Sequence, residues 1–496
     1  MKKISNTFYI TLAAVILAVG YGVIAPKHFE EITTAAKNFI ADSFGWYYLL
    51  TVSMLFFVSV FLIFSPLGRI RLGKDSDRPQ FSMVSWLAML FSAGMGIGLV
   101  FYGAAEPLSH YAVAPSTAAP ETKAAYKEAM RATFFHWGFH AWAVYGMTAL
   151  ALAYFQFRKG QPGLVSATLR PIFGNKVDGH LGTVIDVFAI FATVFGVATS
   201  LGFGAVQINA GLHYLFGIPV GFISQLVIIA IVTVLFLISA WSGLGKGIRI
   251  LSNTNMVLAL ALLFFVIALG PTLLIFNMFT DSIGGYLENL IRMSFRTAPL
   301  TPENRSWLND WTLFYWAWWI AWSPFVGMFI ARVSKGRTIR EFMIGVLVVP
   351  TVLSAIWFAA FGTTAIETQR AGVIDLASKA SELAIFEMFS GLPWSFAISM
   401  IAVLLIISFF ITSADSATFV LGMQSSHGSL TPPNNLKIVW GIIQSSIAII
   451  LLFVGGLGAL QNVIIIAALP FSVILIMMIV SLFKSLKEER KRINRP

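Results

Sequence analysis

Long apolar runs separated by short polar stretches dominate this chain. An apolar run of about 18 residues or more can cross a bilayer as a helix. Twelve stretches meet that description: Phe8–Ile24, Trp46–Phe64, Phe81–Tyr102, Thr133–Phe155, Thr183–Ala210, Phe222–Ala240, Met256–Phe276, Trp311–Val333, Ile344–Gly362, Trp394–Thr412, Ile438–Val454 and Asn462–Phe483. The third, fourth, fifth, eighth and tenth carry Gly, Ser, Thr, His or Trp where a plain anchor would carry Leu. Such helices face protein or a cavity rather than lipid. Two intervening loops are long. Asn277–Asp310 holds an amphipathic helical pattern at Ser282–Met293, and Thr363–Leu392 holds another at Leu376–Phe389. Met1-Lys2-Lys3 before the first run could open a signal peptide. No small-residue cleavage site follows, so the run reads as a retained span.

Composition narrows the class. Hydrophobic residues make up 57% of the chain and charged residues 11%, with a mean hydropathy of +0.81. Soluble proteins carry about 25% charged residues. A disordered chain and an ordinary cytosolic enzyme are thereby excluded. The net charge of +11 would suit a nucleic-acid partner, but its distribution argues otherwise. With the N-terminus inside, 23 of the 33 Lys and Arg residues fall on inside segments and 10 outside. That bias is a topology signal, and no nucleic-acid role follows from it. The expected fold class is an all-α polytopic membrane protein with twelve transmembrane helices and both termini cytoplasmic. The basic end Lys484–Arg495 reads as a cytoplasmic tail near anionic lipid, or as a regulatory one. With no cysteine, thiolate chemistry is absent. No P-loop and no H-E-x-x-H occurs, so neither an enzyme nor an ATP-driven pump is expected. Transport would have to draw on an ion gradient.

Four segments depart from plain membrane anchors. Gly94-Met95-Gly96-Ile97-Gly98 lies within the third stretch. Gly94 and Gly98 have the spacing of a close helix contact. Gly96, on another face, favours an unwound segment, because each glycine costs a helix about 1 kcal/mol against Ala. Trp311–Phe325 holds five of the chain's 14 tryptophans. Trp318, Trp322 and Phe325 share a face there, and Ser323-Pro324 is expected to interrupt the helix. An aromatic wall beside a helix break suits an apolar cation; large-residue packing is the plainer alternative. Trp137, Trp142 and Tyr145 in the fourth stretch fall on one arc of a helix. His136 and His140 have the i, i+4 spacing of a metal pair, but no third ligand lies nearby in sequence, so polar packing is the expectation. Thr412-Ser413-Ala414-Asp415-Ser416 offers hydroxyls that could bind sodium or cap a helix end. Thr193, Thr199 and Ser200 lie on the fifth stretch.

With these residues in view, the sequence resembles the betaine–choline–carnitine transporter family, and within it the bacterial glycine betaine carriers. The resemblance spans nearly the whole chain. It is carried by WAWWIAWSPFVGMFIAR at Trp316–Arg332, GMGIG at Gly94–Gly98 and TSADS at Thr412–Ser416. It implies a LeuT-type core of two inverted five-helix repeats, residues 81–276 and 311–483. Residues 1–80 would hold two accessory spans, 277–310 an outer interfacial helix and 484–496 the tail. The site in such folds lies near the midplane between the repeats.

The resemblance further implies sodium-coupled uptake of glycine betaine as a compatible solute, by a homotrimer in the bacterial cell membrane and with no cofactor. By the family pattern, Trp137, Trp142, Tyr145 and Trp319 would box the trimethylammonium group, whose lack of N–H donors leaves aromatic faces as its natural partners. Trp318, Trp322 and Phe325 would line the cytoplasmic side of the path. The substrate carboxylate would meet backbone N–H groups near Gly94, Gly96 and Gly98. One sodium would take carbonyls of Ser92, Met95 and Phe409 with the hydroxyls of Thr412 and Ser413. A second would use Thr193 and Ser200 near Phe325, although Val197 stands where the family pattern has a further hydroxyl. Gly98 replaces the acidic residue of choline-carrying relatives, and no span carries a mid-membrane Lys or Arg. Both features favour a zwitterion and sodium over a proton-coupled or exchange-type choline or carnitine carrier.

Overall fold

The computed structural model describes residues 4–94, 96–114, 118–242, 247–372 and 374–493, with the side chains of 91–94, 242, 247–250 and 492–493 left aside. Its helices in chain order are α1 (Asn6–Ile24), α2 (Pro26–Phe64), α3 (Met83–Gly94), α4 (Ile97–Val113), α5 (Lys123–Trp137) and α6 (Phe139–Ala153). There follow α7 (Arg170–Phe173), α8 (His180–Phe216), α9 (Phe222–Ser242), α10 (Gly247–Leu269) and α11 (Thr272–Ser294). The remainder are α12 (Pro302–Trp307), α13 (Phe314–Val333), α14 (Ile339–Arg370), α15 (Ala384–Ser390), α16 (Ser395–Gln424) and α17 (Asn434–Ile493). No strand occurs among the described residues beyond one isolated bridge, Arg71 to Thr338.

Among the described residues, nine helices are long and apolar enough to cross a membrane, against twelve stretches read from the sequence. The difference has two causes. The third stretch is split between α3 and α4, and the fourth between α5 and α6. The last two run on as the single helix α17, bent at Gly455 and Gly456; Gly456 takes φ 59°, a conformation open chiefly to glycine. Burial separates the roles of the long helices. In the run Pro302–Val333, 94% of the most apolar window is buried, against 22% for Phe222–Trp241 and for Leu251–Leu269. The tryptophan-rich helix is therefore the centre of the molecule, and α9 and α10 face outward to lipid.

Three local expectations are corrected. First, α13 runs unbroken through Ser323-Pro324. Pro324 cannot donate to the carbonyl one turn back, Ile320. The Ser323 hydroxyl donates to that carbonyl at 2.9 Å, so the proline is absorbed without a break. Second, the seventh span ends at Leu269, and Gly270-Pro271 starts α11, so residues up to Phe276 and the pattern at Ser282–Met293 belong to one amphipathic helix. Third, only Ala384–Ser390 is helical within Leu376–Phe389.

The loops sort into two groups. Arg158 pairs with Asp75 at 2.5 Å and Glu489 at 2.7 Å, and Lys159 also pairs with Glu489. Leu72 and Arg337 join by a backbone bond, and Lys484 donates to the Pro171 carbonyl. On the other group, Lys37 pairs with Asp310 and Lys127 with Asp281, and Arg305 donates to the Ala41 carbonyl. The segments that the Lys and Arg count assigns to one side thus meet one another.

Candidate functional site

The GMGIG segment breaks the helix. α3 ends at Gly94, Gly96 is extended at φ −152° and ψ −157°, and α4 starts at Ile97. The N–H groups of Ile97 and Gly98 at the start of α4 therefore have no acceptor within their own helix, while that of Leu99 donates to the Gly96 carbonyl at 3.1 Å. Gly98 sits where two indoles converge. A Cβ there would lie 2.6 Å from Cη2 of Trp318 and 3.1 Å from Cη2 of Trp137. Only glycine lets the backbone pass.

The fourth stretch is not one helix, so its three aromatics do not share a single arc. α5 ends at Trp137 and α6 starts at Phe139, with Gly138 between them at φ −94° and ψ −142°. The break frees carbonyls of the last turn of α5. Trp319 takes one of them: its indole N–H donates to the His136 carbonyl at 3.0 Å. The freed N–H of Phe139 donates to the Tyr286 hydroxyl at 3.1 Å. The aromatics still converge. Trp137 and Trp319 lie 5.0 Å apart at 72°, Tyr145 and Trp319 5.9 Å at 75°, and Trp142 and Tyr145 5.7 Å at 78°. Rings at near right angles form walls rather than a stack. All four are buried, and the Tyr145 hydroxyl has no hydrogen-bond partner among the described residues.

Trp318 stacks on Trp319 at 5.2 Å and packs with Tyr102, Phe203 and Phe314. Its indole donates to the Ser200 hydroxyl at 3.2 Å. One turn on, the Trp322 indole donates to the Gly196 carbonyl at 2.8 Å, and Phe325 lies 5.6 Å from Trp322. Ascending numbers on α13 meet descending numbers on α8, so the helices run antiparallel and Thr193 falls at the level of Phe325. The Thr193 hydroxyl donates to the Ala189 carbonyl, and Val197 is fully buried. A cavity of about 260 Å³ starts at Phe325 and is lined by Gln156, Met328, Arg332 and Phe419.

The Ser413 hydroxyl lies 3.8 Å from where a Cβ of Gly96 would stand, so Ser413 faces the break in the third stretch. The Thr412 hydroxyl donates to carbonyls of Ser408 and Phe409 and accepts from Asn255 at 2.9 Å. Met95 and the side chain of Ser92 lie outside the described residues.

The sequence reading missed Glu106. Its third stretch stopped at Tyr102, whereas α4 runs on to Val113 with Glu106 fully buried. One oxygen of Glu106 lies 2.7 Å from Nδ1 of His136 and 3.2 Å from Nε2 of His110. The other accepts from the Trp137 indole at 2.7 Å and the Tyr315 hydroxyl at 2.5 Å. Glu106 and His110 at i, i+4 in an apolar context were the available signal. These three side chains could geometrically hold a metal ion. Their hydrogen bonds account for them without one. The Trp307 indole donates to His110 Nδ1 at 3.1 Å, which leaves Nε2–H for Glu106. Thr312 lies 2.8 Å from His136 Nε2, which leaves Nδ1–H for Glu106. His140 is not part of this group. It packs against Trp316 and Phe56 and meets the Ser294 hydroxyl at 2.9 Å, the polar packing expected of it.

Comparison with known proteins agrees with this architecture. A model of the betaine/carnitine/choline family of transporters matches residues 6–491. The chain is 59% identical to a glycine betaine transporter of Bacillus subtilis, covering 100% of this chain and 97% of that protein. It is 43% identical to a probable glycine betaine transporter of Desulfitobacterium hafniense, covering 98% of each. It is 42% identical to an ectoine/hydroxyectoine transporter of Virgibacillus pantothenticus, covering 98% of this chain and 97% of that one. A helical, multi-pass membrane protein built around a buried aromatic box, and matched over its length in this way, belongs to the betaine/carnitine/choline transporter family and is a transporter rather than an enzyme.

Proposed function

We propose that this chain takes glycine betaine into the bacterial cell by sodium-coupled alternating access. One observation carries the reading: the start of α4 abuts the aromatic box, with Gly98 against Trp137. Free N–H groups at a helix start attract a carboxylate. Aromatic faces attract a quaternary ammonium, at about 0.5–2 kcal/mol each when desolvated. The two recognition elements therefore stand side by side, as the two ends of a small zwitterion require. The relatives named for glycine betaine support the same substrate.

Sodium is the coupling ion in this reading. Ser413 faces the Gly96 break and, with Thr412 next to it in the chain, would supply hydroxyls for one ion; Thr193 and Ser200 are the hydroxyls for a second ion beside Phe325. Hard oxygen donors suit Na⁺. The two inverted repeats, the cytoplasmic termini and a homotrimeric assembly complete the proposal. Binding of labelled betaine to the purified protein, with and without Trp319→Ala, tests the box. Unchanged affinity in that variant would refute the assignment.

A further inference from the structure

We propose that Glu106 sets the selectivity of the aromatic box for a positively charged head group. The inference rests on the substrate reading above and adds a residue to it. In this inference Glu106 is a positioning and polarising residue that acts through Trp137, from whose indole N–H it accepts.

The carboxylate has four donors. His110, His136, Trp137 and Tyr315 all direct N–H or O–H groups at its two oxygens. His110 donates from Nε2 while its Nδ1 accepts from the Trp307 indole, which makes it neutral. His136 donates from Nδ1 and meets the Thr312 hydroxyl through Nε2. No Lys or Arg pairs with Glu106 among the described residues. Arg131, Arg292 and Arg296 line an outer cavity with Trp307 and Thr312, one residue removed from the carboxylate. A carboxylate that accepts four N–H and O–H groups is stabilised in its charged form.

This charge sits on the edge of a box wall. Trp137 faces Trp319 at 5.0 Å, and its indole N–H points away from the box to Glu106 at 2.7 Å. A carboxylate on the N–H pushes electron density into the ring and makes its face more negative, and in a buried site the effect is little screened. The same network fixes geometry. His136 offers its side chain to Glu106 and its carbonyl to Trp319, so both tryptophans of the box hang from one cluster.

A purely structural role and a polarising role predict different things for a ligand without charge. The test is equilibrium binding of glycine betaine and of 3,3-dimethylbutanoate, its carbon isostere, to the full-length protein. The wild type should prefer betaine strongly; equal affinity would overturn the box itself. In Glu106→Gln the betaine-to-isostere affinity ratio should fall about tenfold, because the cation alone loses a contribution of the size of one cation–π contact. If both ligands weaken together and the ratio holds, Glu106 is structural and the inference fails while the box stands. The amide places N–H groups toward two histidines, which could prevent folding. His136 can exchange its tautomer with Thr312, but Trp307 pins His110. Glu106→Gln combined with Trp307→Phe releases His110, and the same fall in ratio is expected there relative to Trp307→Phe alone.

Discussion

Replacing Gly98 by alanine adds one methyl group at the point where the broken helix meets the box. That methyl would stand 2.6 Å from Trp318 and 3.1 Å from Trp137, well inside van der Waals contact. Neither indole can swing away freely. Trp318 is held by its bond to Ser200 and its stack on Trp319, and Trp137 by its bond to Glu106. Overpacking a buried site costs about 1–3 kcal/mol. If that cost falls on the box geometry, betaine affinity drops by roughly one to two powers of ten, at about 1.4 kcal/mol per tenfold. Gly96→Ala supplies the contrast. Its methyl meets Trp322 at 3.7 Å and Ser413 at 3.8 Å, which are ordinary contacts. That variant should hold betaine affinity within about threefold and act instead on the sodium requirement. Titration calorimetry on both purified variants reads the difference. Equal betaine affinity in Gly98→Ala and wild type would refute the claim that this wall is rigid and borders the substrate.

Other consequences follow from the same contacts. Trp319→Ala removes the ring that joins Trp137 to Tyr145 and should abolish measurable betaine binding by calorimetry. Thr412→Ala with Ser413→Ala should raise the sodium concentration for half-maximal uptake, read from uptake at graded sodium. Ser323→Ala leaves the Ile320 carbonyl, already deprived of its partner by Pro324, without a donor; a loss of about 1 kcal/mol and a lower Tm are expected in detergent. Burial raises the Glu489 carboxyl pKa, but hydrogen bonds from Lys159 and Arg158 outweigh it and hold the group below its ordinary value of 4.5. A depressed folded value means that the docked tail is stabilised above the ordinary value and released only as pH falls through the lower one. Exchange protection of the tail should therefore be flat from neutral pH down to about pH 5 and lost in more acid solution, and Glu489→Gln should remove that dependence.

The sequence carried the fold class because bilayer crossing imposes long apolar runs that can be read one at a time. The four aromatics that the family resemblance grouped, Trp137, Trp142, Tyr145 and Trp319, lie near one another in the fold. Part of what it missed depends on partners far apart in the chain. Pro324 looked like a helix stop, and the hydroxyl that cancels it is its own neighbour, Ser323. Thr133–Phe155 reads as one run, yet it breaks at Gly138, and the break is stabilised by Trp319 and Tyr286, which are remote in sequence. Glu106 lay beyond the apolar run, and its four donors come from three different helices. Spacing along one helix does not reveal such convergences.

The central claim is tested most directly by uptake of labelled glycine betaine into proteoliposomes that hold the purified protein. An inward sodium gradient is compared with an equal potassium gradient and with a proton gradient, with unlabelled choline as competitor. The account predicts accumulation that requires sodium and that choline does not block. Accumulation without sodium, or strong competition by choline, would contradict it and make the hydroxyls of Thr412 and Ser413 structural.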